Sequence, residues 1–109
     1  MVTDCKLQSQ AIFRAIADPT RREILNLLRR RSHSVGEIAG NFRSSRPAIS
    51  KHLRLLKSAG LVISHRHGTA NICHLNAQPL HAVHEWVGNY RVYWKKTLRN
   101  LKKHVEESR

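Results

Sequence analysis

The spacing of apolar residues divides this 109-residue chain into a few elements. Intervals of three and four positions, typical of one face of an α-helix, predict helices over residues 8–17, 19–31, 35–42 and 46–59. After residue 59 the period changes, and two short β-tolerant runs, 61–66 and 70–75, flank His67-Gly68-Thr69. This pattern predicts a β-hairpin. From Pro79 the helical spacing returns and predicts one long helix as far as Val105.

Polar residues and glycine mark where these helices begin and end. Asp18 is a good N-cap, Ser34 opens an S-x-x-E capping box, and Ser45 is a better cap for the next helix than Ser44. Gly60 is well placed to end that helix in a left-handed conformation.

The order of four helices, a hairpin and a long helix predicts a mostly helical α+β fold. Residues 34–59 form a helix-turn-helix, and the hairpin at 61–75 makes it a winged one. We expect one domain over residues 1–109, because the chain is too short for two. The helices at 8–17 and 79–105 flank this unit.

The helix at 46–59 has two opposed faces. Ile49, Leu53 and Leu56 form an apolar stripe at helical spacing. The other side carries cations and short polar side chains with no acidic residue: Arg46, Ser50, Lys51, Arg54 and Lys57. Such a face suits a nucleic-acid groove, where Arg and Ser reach base edges and Lys neutralises phosphates.

Composition supports the same partner. The chain has 20 Lys and Arg against 7 Asp and Glu, a formal net charge of +13. An anion must compensate this charge, and nucleic acid is favoured over an anionic membrane or an acidic protein. No apolar run is long enough to cross a bilayer, and the N-terminus lacks the pattern of a secretory signal. We therefore expect a cytoplasmic, nucleoid-associated protein.

Three motifs resemble the winged-helix repressors of the ArsR type. Residues 17–25 (ADPTRREIL) are similar to the family's second-helix signature, residues 45–53 (SRPAISKHL) to its recognition-helix signature, and residues 59–62 (AGLV) to its entry into the wing. The likeness extends from about Ile12 to Trp94. It implies a homodimer that binds a near-palindromic operator and represses transcription, often of its own operon.

Candidate DNA contacts follow from the faces and the motif order. Arg46 and Ser50, nearest the helix start, are the best candidates for base contacts, while Lys51 and Arg54 reach bases or phosphates. Ser44, Ser45 and the capped helix start offer donors to a phosphate. The wing candidates are Arg66, His67 and Thr69. We expect His52, between the two faces, to pack or hydrogen-bond within the domain.

The terminal helices are the expected dimer interface. The apolar stripe of residues 79–105 is longer than one small domain needs, and it includes large aromatic side chains. The predicted interface residues are Ile12, Phe13 and Ile16 of the first helix and Val83, Val87, Tyr90, Trp94 and Leu98 of the last. A membrane-bound amphipathic helix is the alternative for the basic C-terminus.

Eight histidines raise the question of a metal, because many ArsR-type proteins sense metals. The resemblance implies either a cysteine pair in the third helix, which is absent, or a D-x-H followed by H-x-x-E or H-x-x-H in the last helix. His104-x-x-Glu107 fits only the second half of that pattern. His81, His84 and Glu85 share one helix face and could provide zinc ligands, but solvated surface histidines are commoner. We predict no metal and no cofactor.

Other functional classes have little support in the sequence. Cys5 and Cys73 form no metal or disulfide framework, and neither has a neighbour that would make it a redox switch. No catalytic motif is present, so an enzyme is not expected. The rivals to a specific repressor are a metal- or redox-responsive version of it, a nonspecific architectural DNA binder, and a protein–protein adaptor that has lost DNA binding.

Overall fold

The computed structural model describes residues 2–107, with side chains described from Gln8 onward. The elements along the chain are α1 (Val2–Ile16), α2 (Pro19–Arg30), β1 (His33–Ser34), α3 (Val35–Gly40), α4 (Arg46–Ser58), β2 (Val62–His67), β3 (Ala70–Leu75), a 3-10 turn (Gln78–Leu80), α5 (His81–Gly88) and α6 (Arg91–Glu107). The mostly helical α+β class, the helix-turn-helix α3–α4 and the wing β2–β3 are confirmed.

The predicted caps hold these helix ends. At three helix starts a side-chain oxygen accepts a backbone N–H three residues further on: Asp18 for α2 (3.1 Å), Ser34 for α3 (3.1 Å) and Ser45 for α4 (3.3 Å). Ser34 N–H in turn donates to Glu37, which completes the capping box. Gly60 follows α4 with a φ of 80°, the left-handed conformation that glycine adopts without strain.

The core lies where α1, α2, α3 and α4 meet the inner face of the sheet. Ile24, Ile38, Ile49, Leu56 and Leu61 are fully buried. The apolar stripe of α4 is therefore confirmed as the side that holds this helix to the body, since Leu53 is also buried.

The sheet has one strand more than the hairpin pattern predicted. Its order is β1-β3-β2, with both pairings antiparallel, and Cys73 on β3 lies between His33 on β1 and Ser64 on β2. β1 has only two residues, too few for an alternating pattern to be recognised in the sequence. Because β1 pairs with β3 and leads directly into α3, it connects the wing to the start of α3.

The prediction of one helix over 79–105 was wrong. Residues 78–80 form a 3-10 turn, and a second break separates α5 from α6 at Asn89 and Tyr90. There the N–H groups of Asn89 and Tyr90 donate three residues back, to Trp86 and Val87, at 3.2 and 2.9 Å. Gly88 and Asn89 are weak helix formers, which favours the break at this position. At the other end of the chain, α1 begins earlier than the predicted residue 8.

Within residues 2–107, no helix combines the length and apolarity that a bilayer crossing requires.

Candidate DNA-binding surface

The cationic face of α4 has two parts, which differ in their angle around the helix axis. At about 100° per residue, Lys51 and Arg54 point directly away from the buried stripe, and both are exposed. Arg46, Ser50 and Lys57 lie together on the flank that faces the wing. The predicted contact residues on α4 therefore share one side of the molecule.

A groove of about 440 Å³ separates this flank from the start of α3 and the end of the wing. Arg46, Ser50 and Lys57 line one wall, and Thr69 and Asn71 line another. None of the groove's lining residues is acidic. Arg46 and Thr69, predicted separately from the helix and from the hairpin, are thus brought to the same groove.

The remaining candidates are exposed at the two ends of this surface. Arg66 and His67 end β2, and Gly68 turns the hairpin with a φ of 64° before Thr69. Ser44 and Ser45 precede α4, and the Ser45 hydroxyl already accepts the N–H of Ala48. Ser45 therefore acts first as a cap, and its free donor is the hydroxyl proton.

His52 lies on the opposite flank of α4 and hydrogen-bonds within the domain, as predicted. Its Nδ1 is 3.2 Å from a guanidinium nitrogen of Arg21 on α2. Asp18, which caps α2, has its pKa lowered mainly by the hydrogen bond from the backbone N–H of Arg21. Arg21 lies within the ADPTRREIL motif, but the motif assigned no role to its side chain.

The predicted interface residues of the terminal helices occupy different environments. Ile12 is only 2% exposed and lies in the protomer's own core, so it has almost no surface left for a partner and leaves the predicted set. The half-buried members are Phe13, Ile16, Val83 and Val87. The exposed members are Tyr90, Trp94 and Leu98.

Sequence reasoning missed Trp86 in this region. Its ring packs edge-on against Phe13 of α1 at 5.7 Å between centroids, and against Tyr90 at 5.3 Å, yet the residue is still 52% exposed. Trp86 lies three residues after Val83 and four before Tyr90, so helical spacing is the signal that could have identified it.

The candidate metal ligands contact each other and a neighbouring cation. His81 Nδ1 is 3.3 Å from Glu85 Oε1, and His84 Nε2 is 3.3 Å from a guanidinium nitrogen of Arg91. Over the described part of the chain, His104 and Glu107 included, no three His, Cys, Asp or Glu side chains converge as a metal site requires.

Cys73 is fully buried in β3, and burial raises the pKa of its thiol. A raised pKa keeps the thiol protonated, which is the opposite of what a redox-sensing cysteine needs. The side chain of Cys5 lies outside the described residues.

Comparison with known proteins identifies the family. The model for bacterial regulatory proteins of the arsR family matches residues 18–64. The transcriptional repressor SdpR of Bacillus subtilis is 42% identical over 79 residues, which cover 72% of this chain and 88% of SdpR. The transcriptional regulator Rv2034 of Mycobacterium tuberculosis is 41% identical over 71 residues, 65% of this chain and 66% of the relative.

Solved structures agree with this assignment. The ArsR family transcriptional regulator RHA00566 superposes with a TM-score of 0.74 at 33% identity, covering 83% of this chain and 93% of that one. The homodimeric winged helix-turn-helix DNA-binding domain Mb0332 from Mycobacterium bovis gives a TM-score of 0.63 at 26% identity, covering 84% of both chains. This chain belongs to the ArsR family of DNA-binding transcriptional regulators.

Proposed function

We propose that this regulator is a homodimeric repressor that binds a near-palindromic operator, including one at its own promoter, through the outer face of α4. The observation that carries the proposal is the groove between α4 and the wing, which has two cations, Arg46 and Lys57, on its α4 wall and no acidic lining residue. Repression is supported by the relative SdpR, a transcriptional repressor, and dimerisation by the Mb0332 domain, which is homodimeric.

The position of each side chain suggests its role. Arg46 and Ser50 lie in the first turns of α4, the part of a recognition helix that contacts base edges in the major groove. An arginine there can donate two hydrogen bonds to guanine. Lys51 and Arg54 project further outward and contact bases or the backbone, and Arg66 on the wing follows the adjacent backbone.

The same cations make binding sensitive to salt. Each phosphate neutralised by Lys or Arg releases counterions and contributes about −0.9 to the slope of log K against log salt. Five exposed or groove-lining cations lie on this surface of the protomer: Arg46, Lys51, Arg54, Lys57 and Arg66. A dimer presents this set twice, with its half-sites about 34 Å or a multiple of that apart.

The dimer is supported by α6. Every residue of this helix from Arg91 to Glu107 is exposed in the protomer, including Trp94, Leu98 and Leu101 on one stripe. An isolated helix of this length is marginal in water, and a large exposed apolar patch marks an interaction site. A second copy of α6 provides the matching stripe by two-fold symmetry.

The test begins by enriching duplexes from a random pool with the wild-type protein. Arg46→Ala should then weaken binding to the enriched duplex by about 1–3 kcal/mol, and change binding to a scrambled duplex of the same composition much less. Arg99→Ala on α6 removes the same charge away from α4 and is the matched control. Equal losses of Arg46→Ala on both duplexes would remove this residue from base recognition.

The net charge of +13 favours one second candidate, a nonspecific architectural DNA binder. It predicts that the wild-type protein enriches no sequence and binds enriched-pool and scrambled duplexes equally. The repressor proposal includes no metal or other effector. Zinc that survives dialysis and alters affinity for the enriched duplex would contradict that part.

A further inference from the structure

We propose that Arg21 is a positioning residue for DNA recognition: it joins the end of α1 to recognition helix α4 and thereby sets how well the protein discriminates its operator from other DNA. The inference rests on the proposed function, because it concerns the placement of α4 on an operator. Arg21 itself contacts no DNA in this proposal.

The guanidinium of Arg21 makes hydrogen bonds to two different helices. Its Nε donates to the carbonyl oxygen of Ala15 at 2.7 Å, and one terminal nitrogen donates to the carbonyl of Arg14 at 3.0 Å. The other terminal nitrogen is 3.2 Å from His52 Nδ1 on α4. One planar side chain therefore bonds two carbonyls at the end of α1, of which that of Arg14 also accepts the N–H of Ala17 at 3.3 Å, and it also reaches the recognition helix.

The chemistry of arginine determines that Nδ1 of His52 is the acceptor in this contact. A guanidinium has donors and no acceptor, so Nδ1 of His52 must carry a lone pair and accept. In this contact the ring proton of His52 lies on Nε2. The contact is directional, because a fork of donors in a fixed plane meets one ring nitrogen.

The link matters for specificity because of what it joins. Base contacts require side chains to be held within about 0.5 Å of the productive geometry, whereas phosphate contacts carry no sequence information and tolerate small shifts. α1 packs against α5 through Phe13 and Trp86, next to the proposed dimer helices. A rotation of α4 relative to α1 would change the spacing of the two recognition helices in the dimer.

Arg22 is a control that the chain itself supplies. It is the next residue on α2 and has the same charge, and it also donates to a carbonyl at the end of α1, that of Ile16 at 2.8 Å. Its described hydrogen bonds include none to α4. Arg22→Met therefore removes a charge and an α1 contact while leaving the α1–α4 link intact.

The experiment measures affinities for the wild-type-enriched duplex and for its scrambled counterpart, and compares their ratio among variants. Arg21→Met and His52→Leu should each lower the ratio about five- to tenfold, and the double variant should lower it little further, since both remove one interaction. Arg22→Met should keep the wild-type ratio. His52→Asn, whose amide oxygen replaces Nδ1 as acceptor, should restore most of it.

The outcomes separate the two proposals. If the wild-type protein enriches no sequence, the proposed function fails. If the wild type discriminates but Arg21→Met and His52→Leu discriminate equally well, or if Arg22→Met loses as much as Arg21→Met, the positioning role is refuted. Independent, additive losses of the two single variants would also refute it. Circular dichroism and the dimer mass show whether each variant folds. If Arg21→Met does not fold, the comparison of His52→Leu with His52→Asn tests the proposal.

Discussion

The exposed stripe of α6 leads to a quantitative prediction about the dimer. We consider Leu98→Gln, which replaces an apolar side chain at the middle of the stripe with a polar one that is also a good helix former. Leu98 is 65% exposed in the protomer, so nearly two thirds of its surface is available to a partner.

The expected effect can be worked out from this fraction. Complete burial of a leucine side chain is worth about 1.5–3 kcal/mol, so burying the exposed part contributes about 1–2 kcal/mol per protomer. Two-fold symmetry counts the residue twice, which gives about 2–4 kcal/mol. Because about 1.4 kcal/mol is a factor of ten, the dimer dissociation constant should rise by between roughly 30-fold and several hundred-fold.

Sedimentation equilibrium over a dilution series measures this constant directly. Lys96→Gln introduces the same residue on the opposite face of α6 and should leave the dissociation constant within about twofold of wild type. Equal dissociation constants for the two variants would show that the stripe is not covered by a second copy, and the reasoning from exposed apolar surface would fail for this helix.

Two further predictions concern stability. Gly60→Ala should lower the free energy of unfolding, measured in urea, by about 1–2 kcal/mol, because φ is +80° there and a new Cβ would meet only Pro79 at an ordinary 3.6 Å. Gly40→Ala, in open space at the end of α3, should not destabilise the protein. Equal effects of the two variants would contradict the argument. Asp18 has its pKa lowered from 3.8, chiefly by the N–H of Arg21, so its contribution to stability is present above pH 3.8 and is lost as the pH falls below it. Asp18→Asn, which still caps α2, should therefore flatten the acid side of the stability–pH curve, and an unchanged curve would refute this assignment.

Local signals explain why the DNA-binding half was predictable. A cap such as Ser34 or Ser45 acts within three residues, and the buried stripe of α4 repeats within four, so both are complete in a short stretch of sequence. β1 and Arg21 are different, because their partners lie far along the chain: His33 pairs with Cys73, and Arg21 reaches His52. Long-range pairings of this kind leave no periodic pattern.

Residues 79–105 show that one unbroken apolar spacing can cover two helices with different surroundings. The apolar spacing continues through Gly88 and Asn89, yet the chain breaks there, and the two halves have different surroundings. In α5, Trp86 packs against Phe13 of the same protomer, and Val83 and Val87 are half-buried. In α6 the stripe is wholly exposed. A helical period indicates that a face is apolar but not which surface covers it. The predicted interface therefore divides into an α1–α5 contact within the protomer and an α6 stripe that we propose a second copy covers. It follows that α6 substitutions should weaken the dimer while leaving the fold of α1–α5 intact, whereas loss of the Phe13–Trp86 contact should affect both.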